Sequence, residues 1–151
     1  MTKKTLDEKA AVLMAIRPEY VKKISEGIKT FELRRKVGRE LVEGEIPLIV
    51  VYSSAPIKSI VGIIKVLKVH QKPLNELWRE TVQGAAGVSY KEYSDYFKGL
   101  DSGFAIEIKE YYPIRPLPLK EIGIKRPPQN YQFIDIFQLG HILFNAEVME
   151  E

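Results

Sequence analysis

Short apolar runs separated by glycines and prolines set the pattern of the chain. Residues 30–34 (TFELR) alternate polar and apolar positions, which predicts a strand with Phe31 and Leu33 on one face and Glu32 and Arg34 on the other. Four longer runs are rich in β-branched and aromatic residues, and each predicts a strand: 12–16 (VLMAI), 48–53 (LIVVYS), 59–69 (SIVGIIKVLKV) and 103–112 (GFAIEIKEYY).

Helical spacing of apolar residues occurs in three segments. The first, at 18–27 (PEYVKKISEG), begins with a proline and ends in a glycine that can adopt a positive φ. The other two lie at 73–83 and 89–98, and the last of them opens with a capping box, Ser89-x-x-Glu92. Each segment predicts a short amphipathic helix.

Prolines are frequent from residue 113 onward and exclude a central helix there. The pattern predicts a short strand near 131–134, and 137–144 fits either one more strand or a short closing helix. Uneven strands with inserted helices predict an α+β domain over residues 11–151, after a frayed N-terminus at 1–10. The expected architecture is a small, partly open β-barrel with short helices at its rim.

Composition narrows the class of protein. The chain has 151 residues, of which 45% are hydrophobic and 28% charged, as in ordinary globular domains. It contains no cysteine, which excludes disulfides, zinc–thiolate sites and cysteine nucleophiles in this chain. No run reaches the ~18 apolar residues of a membrane helix, and the first residues (MTKKTLDEKAAV) lack the apolar stretch of a signal peptide. We therefore expect a cytoplasmic protein without a membrane partner.

Basic residues are concentrated in one segment. Between Lys22 and Arg39, seven basic residues stand against two acidic ones, so this segment carries +5 while the whole chain carries +3. Such a stripe suits a phosphate-rich partner. The alternative interpretation is that most of these lysines and arginines are solvated surface charges.

The pattern G-x-K-x-x-E-x-R, formed by Gly27, Lys29, Glu32 and Arg34, lies within that segment. A lysine in a partly desolvated cleft can act as a base with a lowered pKa, or stay charged and bind an anion, and the nearby Glu32 favours the charged form. Arg34 can donate a bidentate pair of hydrogen bonds to a phosphate or to Glu32. Glu32 can accept from an exocyclic amine or serve as a general base. An internal ion-pair network that closes the mouth of the barrel is the structural alternative.

Aromatic and histidine positions carry weaker signals. Tyr90, Tyr93 and Phe97 form an apolar stripe on the predicted helix at 89–98, and such a stripe is more typical of a core than of a nucleotide platform. His70 and His141 are the only histidines, and they show no metal-ligand spacing. We therefore expect no metal site and no cofactor.

The G-x-K-x-x-E-x-R pattern, preceded by Ile16-Arg17-Pro18-x-Tyr20, resembles the signature of the ASCH domain family, a branch of the PUA-like superfamily. The resemblance is close from residue 12 to residue 35. It continues more loosely through SIVGIIKVLKV and the late KRPPQNYQF segment. It implies a PUA-like β-barrel whose cleft is lined by the motif, and an association with RNA.

The resemblance also implies two kinds of enzymatic member. One branch is similar to small amidohydrolases that remove an acyl group from a modified cytidine, and another has ribonuclease activity. In the amidohydrolase branch, the motif lysine is catalytic beside a threonine and a separate glutamate. By motif position that lysine is Lys29, and the position of the threonine holds Glu32 in this chain.

From these observations we expect a cleft that binds RNA or a nucleotide-like small molecule. The alternatives are a metal-independent hydrolase of a modified nucleoside or of RNA, with Lys29 and Glu32 catalytic, and a protein-interaction module with a purely structural motif. Tyr131 could equally belong to the core. The predicted ligand contacts are Arg17, Lys29, Glu32, Arg34, Ser53, Gln129 and Tyr131, and the predicted phosphate contacts are Lys36 and Arg39.

Overall fold

The computed structural model describes residues 9–82 and 86–150. The predicted frayed N-terminus therefore lies mostly outside the described residues, as does Gln83 at the end of a predicted helix. The elements, in chain order, are β1 (Ala11–Ile16), α1 (Pro18–Ser25), β2 (Phe31–Arg34), α2 (Arg39–Val42), β3 (Leu48–Ser53), β4 (Ser59–Pro73), α3 (Leu74–Val82), α4 (Tyr90–Tyr96), β5 (Ser102–Leu117), a 3-10 helix (Leu119–Ile122), β6 (Tyr131–Ile134) and α5 (Ile136–Glu150).

The six strands form one sheet in the order β2-β5-β4-β3-β1-β6. The pair β1–β3 is parallel and the other pairs are antiparallel. The sheet is not closed, and β2 and β6 are its outer strands. At the end of β2, the Arg34 guanidinium donates hydrogen bonds to the Ala15 carbonyl at 3.2 Å and to the Asn130 carbonyl, just before β6, at 3.1 Å. The sheet therefore curls until its two edges approach at Arg34, and the predicted α+β fold with an open, barrel-like sheet is confirmed.

The pairing of the long strands β4 and β5 explains why residue 62 is a glycine. The pairing of β4 with β5 shifts between Ile60 and Gly62, an irregularity typical of an isolated glycine within a strand. A Cβ on Gly62 would lie 2.3 Å from the Tyr111 hydroxyl oxygen, so the aromatic ring crosses the strand where no side chain can stand. Pro113 lies within β5, which extends beyond its predicted end at residue 112.

Two elements go beyond the sequence-based expectation. Of the strand and the short helix predicted as alternatives at 137–144, the structure has the helix, α5, which is longer than predicted at 15 residues. The helix α2 has four residues, too few to produce a helical periodicity in the sequence. That the domain spans 11–151 stays a prediction, because residue 151 lies outside the described part.

A small core cluster fixes the helices beside β2. Phe31 and Leu33 are buried, as their alternation predicts, and pack with Leu77 of α3 and with Tyr93 and Phe97 at α4. This packing holds α4 next to the strand that carries the G-x-K-x-x-E-x-R pattern. None of the helices in the described ranges combines the length and apolar content needed to cross a membrane. A cytoplasmic location stays a prediction.

Candidate functional site

A cavity of about 470 Å³ opens between the end of β1, the helix α1, the strand β2 and the helix α4. The structure brings four of the predicted ligand contacts together in its wall. The wall comprises Ala15, Ile16, Arg17, Tyr20, Lys29, Glu32, Leu33, Arg34, Val88, Glu92, Tyr93, Asp95 and Tyr96.

The end of α1 directs the motif into the cavity. Gly27 has the predicted positive φ of 76°, and the Ile28 N–H donates to the Lys23 carbonyl at 2.9 Å, as in a Schellman-type helix end. The chain then passes Lys29 and enters β2, where Glu32 and Arg34, two residues apart, lie on the same face. Local geometry therefore places all three charged side chains at one site.

Lys29 is a buried cation. Its side chain is 1% exposed, and its ammonium donates a hydrogen bond to the Ala86 carbonyl. The Nζ atom lies 3.6 Å from Glu32 Oε1 and 4.9 Å from the centre of the Tyr20 ring. Burial lowers the pKa of Lys29, and the adjacent Glu32 opposes this shift. The carbonyl, the carboxylate and the ring face all interact best with the ammonium form.

The Glu32 carboxylate lies between two cations. Its Oε1 is 3.6 Å from Lys29 Nζ and its Oε2 is 3.6 Å from an Arg34 nitrogen. Both distances exceed those of ordinary hydrogen bonds. Arg34 instead directs its two hydrogen bonds to the backbone carbonyls that join the sheet edges. Arg34 therefore has a structural function, while Glu32 keeps acceptor capacity toward the cavity.

The segment before α4 closes over the lysine. The Lys23 ammonium donates to the Gly87 carbonyl at 2.8 Å, next to the Ala86 carbonyl that binds Lys29. Gly87 has a φ of 76°, and a Cβ at this position would lie 3.1 Å from Cβ and Cγ of Lys29. A side chain at Gly87 would therefore meet both backbone strain and the buried lysine stem.

Alanine substitutions at Gly27 and Gly87 separate the cost of backbone strain from the cost of the contact with Lys29. We expect Gly27→Ala to lower the free energy of unfolding by about 1 kcal/mol, because it adds left-handed strain only. Gly27 has the same φ as Gly87, and a Cβ there would have no atom within 4 Å. Gly87→Ala should cost more, and the excess measures the contact with Lys29. Urea denaturation of both variants tests this, and equal losses would mean that Gly87 does not press on the lysine.

The opposite side of the cavity comes from α4 and was not predicted. The predicted capping box is present, with the Ser89 side chain bonded to the Glu92 N–H and the Glu92 side chain to the Ser89 N–H. The same carboxylate also accepts a hydrogen bond from the Tyr20 hydroxyl at 3.3 Å. Burial, followed by the charge of Glu92, raises the pKa of Tyr20. The sequence gives no signal for this contact, because Tyr20 falls on the apolar stripe of α1.

The other predicted contacts lie outside the cavity wall. Ser53 is buried at the end of β3, and Gln129 is exposed before β6. Tyr131 packs against Phe133 and lies over Gly38, where a Cβ would be 2.6 Å from its hydroxyl oxygen. Tyr131 is partly buried and packs against the core, and its role as a ligand contact stays a prediction. Lys36 and Arg39, the predicted phosphate contacts, are exposed, and Arg39 pairs with Glu43 at 3.8 Å.

The lowered pKa of Lys29 determines the direction in which the free energy of unfolding changes with pH. Between that pKa and its ordinary value of 10.5, the unfolded chain binds more protons than the folded chain. The contribution of this group to the free energy of unfolding therefore rises as the pH rises toward 10.5. We expect the stability difference between the wild type and Lys29→Met to shift in favour of the wild type over this interval.

Urea denaturation at a series of pH values measures the difference. Tyr93 and Tyr111 have pKa values raised by burial to about 12, so both proteins lose stability above the ordinary tyrosine value of 10. This loss is common to the two proteins and cancels in the comparison. A difference independent of pH would contradict the lowered pKa of Lys29.

The fold and the site define a small α+β protein with an open, barrel-like sheet and a buried lysine–glutamate pair in a cavity beside the sheet edge. Residues 14–115 match the family model of the ASCH domain. The chain belongs to the ASCH domain family.

Two curated relatives extend the comparison. The chain is 33% identical over 132 residues to an "ASCH domain-containing ribonuclease" of Zymomonas mobilis, a match that covers 85% of this chain and 86% of the relative. It is also 29% identical over 87 residues to "Large ribosomal subunit protein uL22" of Ureaplasma parvum. That second match covers 57% of this chain and 28% of the relative.

Solved structures agree with the family assignment. The crystal structure of ASCH from Zymomonas mobilis has a TM-score of 0.81 and 28% sequence identity, with 91% of this chain and 96% of that chain covered. The N-terminal domain of Staphylothermus marinus McrB has a TM-score of 0.55 at 14% identity, covering 95% of this chain and 98% of that chain. The second likeness shows a shared fold only.

Proposed function

We propose that the cavity binds a nucleotide of single-stranded RNA and that the protein cleaves the RNA backbone beside it. The observation that carries the proposal is the Lys29–Glu32 pair, buried in the wall of a cavity of about 470 Å³. This volume lies in the range of small-molecule sites, about 300–1,000 Å³. The Zymomonas mobilis relative that matches 85% of this chain bears the name ribonuclease, which supports RNA as the substrate class.

Arg17 is placed to bind a phosphate at the mouth of the cavity. It is exposed, lies in the cavity wall, and stands at the start of α1, so its guanidinium can approach a ligand from solvent. A guanidinium donates paired hydrogen bonds to phosphate oxygens. Lys36 and Arg39 stay proposed phosphate contacts for RNA outside the cavity, since both side chains are exposed.

The proposed reaction is an internal transesterification, which uses the 2′-hydroxyl of RNA as the nucleophile. The 2′-oxygen attacks the adjacent phosphorus while the Glu32 carboxylate takes the hydroxyl proton. The bond from phosphorus to the 5′-oxygen of the next nucleotide breaks, and the Lys29 ammonium gives this oxygen a proton. The products are a 2′,3′-cyclic phosphate and a 5′-hydroxyl end.

The ion pair also returns the site to its starting state. After the step, Glu32 carries a proton and Lys29 has lost one, so the balance is restored by transfer from the acid to the amine. Their functional atoms lie 3.6 Å apart, which small side-chain movements can close. During the reaction, Arg17 stabilises the charge that develops on the phosphate oxygens.

The test uses two oligonucleotides of one sequence, one all-ribose and one with a 2′-deoxyribose at the cleaved position. We expect cleavage of the first and none of the second, with a 2′,3′-cyclic phosphate as product, in buffer with or without a chelator. Cleavage of both, or a 5′-phosphate product, would overturn the proposed reaction. Failure to bind either oligonucleotide would overturn the proposed function as a whole.

A further inference from the structure

An aromatic groove lies between α3 and α4, next to the cavity. It has a volume of about 600 Å³. Trp78, Tyr90 and Tyr93 form its aromatic side, with Trp78 5.2 Å from Tyr90 and 5.0 Å from Tyr93 between ring centres. Tyr93 is buried in the core, whereas Tyr90 is 62% exposed. Core packing explains Tyr93 but not the exposure of Tyr90.

The charges of the groove favour an anionic ligand. Arg79 and Lys98 belong to its wall and are exposed, and no carboxylate is among the described residues that line it. The aromatic rings alone would also suit an organic cation. Two positive side chains oppose a cation and attract a phosphate. The wall of the cavity, by contrast, carries equal numbers of basic and acidic side chains.

The groove and the cavity lie on two sides of α4. Tyr93 belongs to the walls of both, and the seven-residue helix α4 separates them. An α-helix is only about 10–12 Å across with its side chains. A polynucleotide that leaves the cavity past α4 therefore reaches the groove directly.

We infer that the groove is a second nucleotide subsite for the same single-stranded RNA. The base stacks on the exposed ring of Tyr90, beside Trp78, whose plane is inclined by 77° to that ring. Its phosphate contacts Arg79 and Lys98. Aromatic side chains bind bases of any sequence because every base has a π-face. The inference rests on the proposed function, and it predicts that the substrate is a strand of at least two nucleotides and not a free nucleoside.

Binding in the groove can be followed by tryptophan fluorescence, because Trp78 is the only tryptophan of the chain. The ligand is the short oligonucleotide with a 2′-deoxyribose at the cleaved position, which binds without reacting. We expect it to quench the tryptophan fluorescence of the wild type. Tyr90→Ala should weaken binding by about 5–150-fold, as expected for one lost base stack. Tyr112→Ala, at a 43% exposed tyrosine outside both walls, should leave the affinity unchanged.

The salt dependence of RNA affinity tests whether Arg79 and Lys98 contact phosphates. Replacing Arg79 and Lys98 together by alanine should flatten the slope of log affinity against log salt by about 1.4, at roughly 0.7 per phosphate contact on a single strand. The matched control replaces Lys68 and Lys109, exposed lysines of β4 and β5 that belong to neither wall. The control should keep the slope of the wild type.

The outcomes separate the two proposals. Quenching, a weaker Tyr90→Ala variant and a flatter slope for the Arg79 and Lys98 variant support the subsite. If RNA binds and Arg17→Ala weakens it, but Tyr90→Ala behaves like Tyr112→Ala, the subsite is overturned while the proposed function stands. If the wild type binds no RNA, both are overturned.

Discussion

Replacing Glu32 with glutamine is expected to lower the rate of RNA cleavage by about 10²–10⁴-fold, the usual contribution of a general base. Glutamine keeps the size of the side chain and an oxygen toward Lys29 Nζ, which lies 3.6 Å from the carboxylate. It cannot take the 2′-hydroxyl proton. Affinity for the 2′-deoxy oligonucleotide should change only a few-fold. Single-turnover cleavage measures the rate, and equilibrium titration measures the affinity.

A second glutamate provides the control for this result. Glu121 lies in the 3-10 helix, is exposed, and belongs neither to the cavity wall nor to the groove wall. Glu121→Gln removes one negative charge from the protein without touching either site or a proposed phosphate contact, and we expect the rate of the wild type. If Glu32→Gln also keeps the wild-type rate, Glu32 is not the base.

Replacing Lys29 with methionine is expected to lower the free energy of unfolding by about 3 kcal/mol, the lower end for breaking a buried ion pair. Methionine keeps the packing of the stem but removes the ammonium. The Ala86 carbonyl then loses its donor, and Glu32, which is 5% exposed, retains only the Arg34 nitrogen at 3.6 Å. Urea denaturation at neutral pH measures the loss.

Two further variants show whether the loss comes from the broken pair. Lys29→Met combined with Glu32→Gln should recover part of the stability, because no unpaired charge then remains in the wall. Lys91→Met removes an exposed lysine that pairs with Asp95 at 3.1 Å, and should have no measurable effect. A Lys29→Met variant as stable as the wild type would mean that Lys29 contributes nothing to the fold.

The central part of the site could be predicted because it is local in sequence. Gly27 ends α1 and β2 begins soon after it, so strand alternation puts Glu32 and Arg34 on one face, and the short segment after the helix end keeps Lys29 beside them. Arg17 could be placed for the same reason, since it precedes the short helix α1. These placements depend on residues that are only a few positions apart in the chain, and the sequence pattern therefore predicts them.

Long-range contacts could not be predicted in this way. The hydrogen bond from Arg34 to the Asn130 carbonyl joins residues 96 positions apart, and the bond from Tyr20 to Glu92 joins residues 72 apart. Neither depends on a periodicity. Arg34 is a predicted ligand contact and lies in the cavity wall, but no sequence signal predicts its hydrogen bonds between the sheet edges. Ser53 was predicted for the cleft because it ends a strand, and its burial follows from the pairing of β3 with β1.

The strands themselves were predictable and their order was not. Apolar runs with β-branched residues predict β1, β3, β4 and β5, and alternation predicts β2, within a few residues at most ends. The parallel pairing of β1 with β3 depends on how the intervening chain crosses the sheet, and no residue type signals it. The extension of β5 through Pro113 was also unexpected, because proline weakens a strand prediction.

The most direct test of the Lys29–Glu32 site is a crystal structure of the protein with the uncleavable 2′-deoxy oligonucleotide. We predict a phosphate in the cavity, with an oxygen about 3 Å from a nitrogen of Arg17 or from Lys29 Nζ, and the sugar 2′-position next to the Glu32 carboxylate. An oligonucleotide bound on another face of the protein, with the cavity unoccupied, would contradict this prediction.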